Sequence, residues 1–266
     1  GELFVDGAGV GAAVTNKVFR TLWDGGGTDL IDLSNYTTDL AIDLRPGEGI
    51  DLDVGGFAQR ALLDRFDDIY APRHIYMSLL YQGDTQSLIE NATGGSGADT
   101  LLGNAAANAL DGGAGDDILT GGLGADTFVL GTGADTVTDT LAGLDGDLIA
   151  DFDPFEDRLV VSGVTLTAAA LSYAVGPGRL EIDADGDGQH EARILIGTGL
   201  ELAEVSAGAD GSTITFVGAP LNAPGALTID GTLLTVQSFT GQDAGTFALS
   251  SDGTAITLSD NAWKAV

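Results

Sequence analysis

Residues 94–138 read as five nonapeptides in unbroken register: GGSGADTLL, GNAAANALD, GGAGDDILT, GGLGADTFV and LGTGADTVT. Three of them fit the pattern GGxGxDxUx, where U is a large apolar residue, and the other two are degenerate copies. Each unit supplies a tight glycine-rich turn followed by a very short strand, the grammar of a stacked solenoid. Glycine at the first, second and fourth positions allows positive φ and close backbone approach, so carbonyl oxygens can converge. The sixth position adds a carboxylate. The eighth position carries Leu101, Leu110, Leu119, Phe128 and Val137, which predicts one inward-facing apolar column. That column is thin. One large side chain per unit cannot offset the entropy of ordering nine residues, so something other than apolar burial must bind the turns together. A flexible Gly/Asp linker could share the composition but not the phase.

The repeat resembles the RTX calcium-binding nonapeptide. Calcium takes about six to eight oxygen ligands at roughly 2.3–2.6 Å, more than one turn can offer, whereas two stacked turns suffice. The resemblance implies a parallel β-roll in which two nonapeptides make one coil, so each ion lies between a turn and the turn two repeats later. Asp99, with Gly95 and Gly97, is then set against the turn holding Gly113, Gly115 and Asp117. Asp117 is set against the turn with Gly133 and Asp135. Asn108 is set against the turn with Gly122, Gly124 and Asp126. Asn108 replaces a carboxylate and Ala106 replaces a glycine, so the expectation there is weak binding or none.

A second block precedes the repeats. Residues 19–36 read FRTLWDGGGTDLIDLSNY, 53–56 read DVGG, 87–99 read SLIENATGGSGAD, and 149–152 and 156–163 read IADF and EDRLVVSG. Together these are similar to the C-terminal domain of serralysin-type (peptidase M10) secreted metallopeptidases, over roughly residues 18–166. The resemblance implies a calcium site from Asp24, Gly26, Gly27 and Asp29, and a ligand at Glu90 preceding the first repeat. The residues agree, because GGGTD is a half-site with its Asp at the sixth place of a nonapeptide frame. Residues 57–74 look like an insertion, and FAQRALLDRFDDIY has the spacing of a short amphipathic helix.

Composition excludes several classes. Forty acidic residues face ten basic ones, for a net charge of −30, so carboxylates repel one another unless cations intervene. Nucleic acid has no basic patch to meet. Cysteine is absent, which leaves metal ions as the expected staples. The longest apolar stretch, 166–175, is too short and interrupted to span a bilayer. No His-Glu-x-x-His motif occurs, since the two histidines, His74 and His190, lie far apart. His74 reads as a surface or packing residue and His190 as exposed beside an acidic loop. With forty acids, apparent glycosidase pairs carry no information, and no catalytic residue is assigned.

A third calcium candidate is EIDADGDGQHE, with Asp183, Asp185 and Asp187 at EF-hand-like spacing but Ile194 where the bidentate Glu would stand. Its flanks alternate like strands, so a hairpin loop is expected. Residues 139–164 should cover the open end of the roll, as solenoid ends require. After a linker with Pro220 and Pro224, residues 227–266 read as the first strands of another β domain.

The expected fold is therefore all-β: a parallel β-roll with flanking strand caps and the start of a further β domain. Its expected divisions are 1–165 (roll), 166–218 (cap) and 219–266 (linker and partial domain). The expected function is a secreted, non-catalytic calcium-binding module, extracellular or on the cell surface. It would cross type I secretion machinery unfolded, fold on calcium outside, and support further domains of a longer polypeptide. The alternatives are the non-catalytic part of a serralysin-like zinc peptidase, or a segment of an adhesin or glycan-binding protein.

Overall fold

The computed structural model describes residues 2–5, 8–12, 19–56, 60–174, 178–197, 204–217, 247–249 and 256–258. The described residues are almost all strand or turn, and the fold is a parallel β-roll. The first four repeats each give a three-residue strand and the fifth a five-residue one, alternating between two sheets. Thr100–Leu102 pairs in parallel with Ile118–Thr120, which pairs with Thr136–Thr140. In the facing sheet Asn91–Thr93 pairs with Ala109–Asp111, which pairs with Thr127–Val129. Partners such as Leu101 and Leu119 lie two nonapeptides apart in sequence, so one coil is two repeats, as expected.

The eighth-position column is buried as the pattern demands. Leu101, Leu110, Leu119, Phe128 and Val137 are sealed between the sheets. The core does not stop at the repeats. It continues through Leu144, Ile149, Phe152 and Leu159 to Leu180, Ile182, Ile194 and Ile214, and backward to Leu40, Ile42, Ile50 and Leu52. The described residues of 166–217 thus share one core with the roll.

Both ends are built by strands that the repeat pattern does not specify. Toward the N-terminus, Leu30–Asp32 and Ala41–Asp43 pair in parallel with the first repeat strands. Antiparallel Gly49–Asp51 follows on Ala41–Asp43. Toward the C-terminus the roll gains a further coil. Leu148–Ile149 pairs in parallel with Thr127–Val129, and Arg158–Ser162 with Thr136–Thr140. Residues 139–164 are therefore more than a covering loop, because they extend the solenoid around a four-residue helix, Leu141–Leu144. Thr213–Val217 then lies antiparallel on Arg158–Ser162, while in the other sheet Ala192–Ile196 stays parallel to Leu148–Ile149 and is followed by antiparallel Arg179–Ile182 and, at the edge, Leu171–Ala174.

The helix expected over 57–70 is not what forms. Leu62–Asp64 and Ile69–Tyr70 make a two-stranded hairpin outside both main sheets. The Asp64 carboxylate accepts the Phe66 N–H at 2.7 Å, and Asp68 takes a positive φ of 50°. Local side-chain bonding of this kind favours a turn over a helix interior. His74 is fully buried, its Nδ1 accepting the Leu52 N–H at 3.0 Å, so it is a packing residue.

Residues 223–266 form a separate unit. Within it Phe247–Leu249 and Ile256–Leu258 pair antiparallel, while 227–239, read as strand from sequence, lies outside the described residues. Among the described residues no helix is long and apolar enough to cross a membrane.

Phe128 is the largest side chain of the column and is fully buried. Phe128→Ala is expected to destabilise the calcium-saturated chain by about 3–5 kcal/mol in urea unfolding. A loss below about 1 kcal/mol would contradict the packing described.

Candidate calcium sites between stacked turns

Because strands alternate between sheets, the turns fall into two columns on opposite edges of the roll. One column contains the turns before Leu30, Asn91, Ala109, Thr127 and Leu148, and the other those before Ala41, Thr100, Ile118, Thr136 and Arg158. Coil-to-coil contact within a column is too close for side chains at the glycine positions. Gly113 and Gly115 have φ of 97° and 113°, and a Cβ on either would overlap the carbonyl oxygen of Gly95 or Gly97 in the coil before. Glycine there is a requirement of stacking, and it leaves those carbonyls facing the next turn.

The sixth-position carboxylates form a staircase. Asp117 accepts the Asp99 N–H at 2.7 Å through Oδ1, and Asp135 accepts that of Asp117 at 2.8 Å. Asp99 in turn accepts the N–H groups of Leu40 and, at its own turn, Gly95. In the other column Asp126 accepts the Asn108 N–H at 2.7 Å. The bonds Asp99–Asp117, Asp117–Asp135 and Asn108–Asp126 each join residues 18 apart, one coil.

The staircase runs past the repeats. Asp147 accepts the Asp126 N–H at 2.7 Å and Asp157 that of Asp135 at 3.1 Å, at separations of 21 and 22 residues. Asp139 and Asp151 cover the turns below, accepting the N–H groups of Gly122 and of Leu130 and Gly131. Sequence reasoning missed these four acids because the nine-residue phase is lost after 138. The surviving signal was an Asp just before each short apolar strand, DLI at 147–149 and DRL at 157–159.

At four of the steps one oxygen stays uncommitted. Oδ2 of Asp117, Asp126, Asp135 and Asp147 is buried with no hydrogen-bond partner. Such atoms are costly unless something satisfies them. The fit to calcium rests on these atoms, since the donors are all oxygen, anionic, and arranged with turn carbonyls on the facing coil.

The other expected ligands fall as follows. Asp29 and Glu90, 61 residues apart, are brought together, with the Asp29 N–H donating to Glu90 Oε2 at 2.9 Å. Glu90 therefore belongs to the column of Asp29, Asn108 and Asp126, opposite to Asp99 with which sequence grouped it. Asp24 accepts the Gly26 N–H, and Gly26 and Gly27 take positive φ in the same loop. Asp183, Asp185 and Asp187 sit on the loop of a hairpin, as expected, and Glu191 joins them with ligand oxygens all within 4.8 Å of one another. Glu191 follows the acidic run by four residues, a spacing that sequence reading passed over. His190 is half-buried, with Nε2 3.4 Å from Glu181, where sequence reading placed it exposed.

Electrostatics give the columns a pH sense. Burial pushes Asp117 and Asp147 up to about 7, with like-charged neighbours one coil away adding to it. Burial likewise raises Asp126 and Asp157 to about 6. Asp99 and Asp135 move in the same direction for the same first cause. These pKa values lie above the ordinary carboxylate range, so folding without metal takes up protons. Their stabilising contribution is complete below about pH 4 and is lost as pH rises through 6–7. Calcium must displace those protons. The calcium-free chain is expected to show more β-structure at pH 5 than at pH 8 by circular dichroism, and its calcium midpoint should fall over the same rise. A midpoint that does not move with pH would contradict this.

Comparison with known families agrees with the geometry. The model of the RTX calcium-binding nonapeptide repeat (4 copies) matches residues 93–128 and 102–137. The model described as peptidase M10 serralysin C terminal matches residues 10–63. No curated protein matches the chain. Both matched regions are non-catalytic parts of the proteins that carry them and are typical of secreted proteins. The chain thus carries a run of repeats that matches the RTX calcium-binding nonapeptide model, preceded by a segment that matches the serralysin C-terminal model.

Proposed function

We propose that this chain is a calcium-gated folding module of a secreted protein, unfolded where calcium is scarce and closed into the roll where it is abundant. The observation that carries this reading is the set of buried, unpartnered carboxylate oxygens on Asp117, Asp126, Asp135 and Asp147. A net charge of −30 opposes the calcium-free compact state further.

In this reading Asp99, Asp117, Asp126, Asp135, Asp147 and Asp157 hold the ions, together with backbone carbonyls of the glycine turns at 95, 97, 113, 115, 122, 124 and 133. Asp24, Gly26, Gly27, Asp29 and Glu90 form a further site at the N-terminal end, and Asp183, Asp185, Asp187 and Glu191 one on the closing hairpin. Bound calcium supplies positive charge between coils, and binding free energy becomes folding free energy. Residues 1–165 act as the calcium-binding roll, 166–218 as its C-terminal cap and 219–266 as a linker leading to a further β domain. The module passes type I secretion machinery as an open chain and then stabilises the polypeptide it belongs to, outside the cell or on its surface.

The match over 10–63 supports one further reading, that the parent protein is a secreted zinc peptidase of the serralysin kind. A His-Glu-x-x-His motif in the parent polypeptide would support it.

The test is a calcium titration of the 266-residue chain followed by far-UV circular dichroism, with magnesium as control. Magnesium demands a tight octahedron and sheds water reluctantly, so it should not substitute. A cooperative coil-to-β transition with calcium alone is expected, and Asp117→Asn should raise its midpoint several-fold. A chain already folded and indifferent to calcium would refute the proposal.

A further inference from the structure

One step of the carboxylate staircase does not fit an ion. It lies in the column of Asp29, Glu90, Asn108, Asp126 and Asp147, between the coil of Glu90 and the turn 103–108. Elsewhere in that column the later residue offers a carboxylate whose Oδ1 takes an N–H from the coil before, leaving Oδ2 unpartnered, as at Asp126 and Asp147. Asn108 does the reverse. Its Nδ2 donates to the carbonyl of Glu90 at 2.8 Å, and its Oδ1 accepts the Asn104 N–H at 2.7 Å.

Asn104 stands where the neighbouring repeats have glycine and completes the closure. Its Nδ2 donates to the carbonyl oxygens of Ile89 at 2.7 Å and Leu44 at 3.3 Å. Its Oδ1 accepts the Ala106 N–H at 2.9 Å and the second Asn108 N–H at 3.3 Å. Both asparagines are more than nine-tenths buried, and neither has an unpartnered polar atom. The amide orientations are fixed by chemistry, since a flip would set N–H against N–H and oxygen against carbonyl. At this step the side-chain amides themselves stand between the coils, donating to the carbonyls of Leu44, Ile89 and Glu90, and their positive ends repel a cation.

We infer that the Asn104–Asn108 pair is a neutral staple that replaces calcium at this step, so the roll takes one ion fewer than its coil count implies. The staple also interrupts the stack of like charges, separating Asp29 and Glu90 from Asp126 and Asp147. The Glu90 carboxylate faces the other way, accepting the Asp29 N–H. The N-terminal coils are thereby joined to the repeats by bonds that need no metal. This inference rests on the calcium reading above and refines which turns carry it.

The experiment is a calcium count per chain, by equilibrium dialysis with radioactive calcium and by titration calorimetry, on the 266-residue chain and two variants. Asn108→Ala removes the staple, and it should leave the count unchanged while raising the calcium midpoint for folding. The triple variant Asn104→Gly, Ala106→Gly, Asn108→Asp restores the residues of the neighbouring repeats and should bind one more ion than the parent. Loss of an ion in Asn108→Ala would make Asn108 a ligand and overturn the inference. Equal counts in the parent and the triple variant would overturn it as well, and this comparison decides the matter should Asn108→Ala fail to fold. No calcium in any form would instead sink the calcium reading itself, and the staple with it.

Discussion

Everything in this roll depends on carboxylates being stacked one above another at the spacing of a single β-coil. A parallel ladder sets that spacing, and the glycine turns allow it. The sixth-position Asp of each unit is thereby placed directly over its counterpart and drawn out of water. One oxygen of each group finds a backbone N–H. On Asp117, Asp126, Asp135 and Asp147 the other finds nothing in the protein. Apolar burial cannot absorb that cost, because each repeat contributes one large inward side chain at the eighth position and only the fifth adds a second, Leu130. In the proposed reading the fold is conditional on its solution, with protons relieving the repulsion at low pH and calcium relieving it at higher pH.

The column of apolar residues and the columns of turns solve different halves of the problem. Leu101, Leu110, Leu119, Phe128 and Val137 hold the two sheets face to face. Turn chemistry holds successive coils edge to edge. At the C-terminal end the balance changes. The strands there bury Leu180, Ile182, Ala192, Ile194, Ile196 and Ile214 together, closing the solenoid with ordinary packing. The two asparagines show a third device, in which amides do by hydrogen bonding what an ion does by charge.

Much of this was legible in the sequence, because a nine-residue phase fixes turn, strand and inward position at once. The pairing of Asp99 with the turn of Asp117, and of Asp117 with that of Asp135, followed from the resemblance of the repeat to the RTX β-roll, in which two units make one coil. What was not legible lay where phase is lost. Asp147 and Asp157 take the same structural place as the repeat aspartates, but the helix Leu141–Leu144 and the 151–157 turn stretch the coil to 21 or 22 residues, and a fixed-period reading cannot follow them. Glu90 was placed beside Asp99 because they are neighbours in sequence, yet alternation between sheets sends them to opposite edges. The hairpin at Leu62–Tyr70 defeated a helical pattern because Asp64 bonds locally at the turn. Asn108 was recognised as a departure from the pattern, but nothing in the sequence revealed that Asn104 would turn the departure into a closed network.

The most direct test of the account is a crystal structure of the chain grown in calcium, with anomalous difference maps collected at long wavelength. The account predicts peaks within coordination distance of Oδ2 of Asp117, Asp126, Asp135 and Asp147, each lying between successive turns of its column. Well-ordered coils with those four oxygens bound only to water or to protein donors would contradict it.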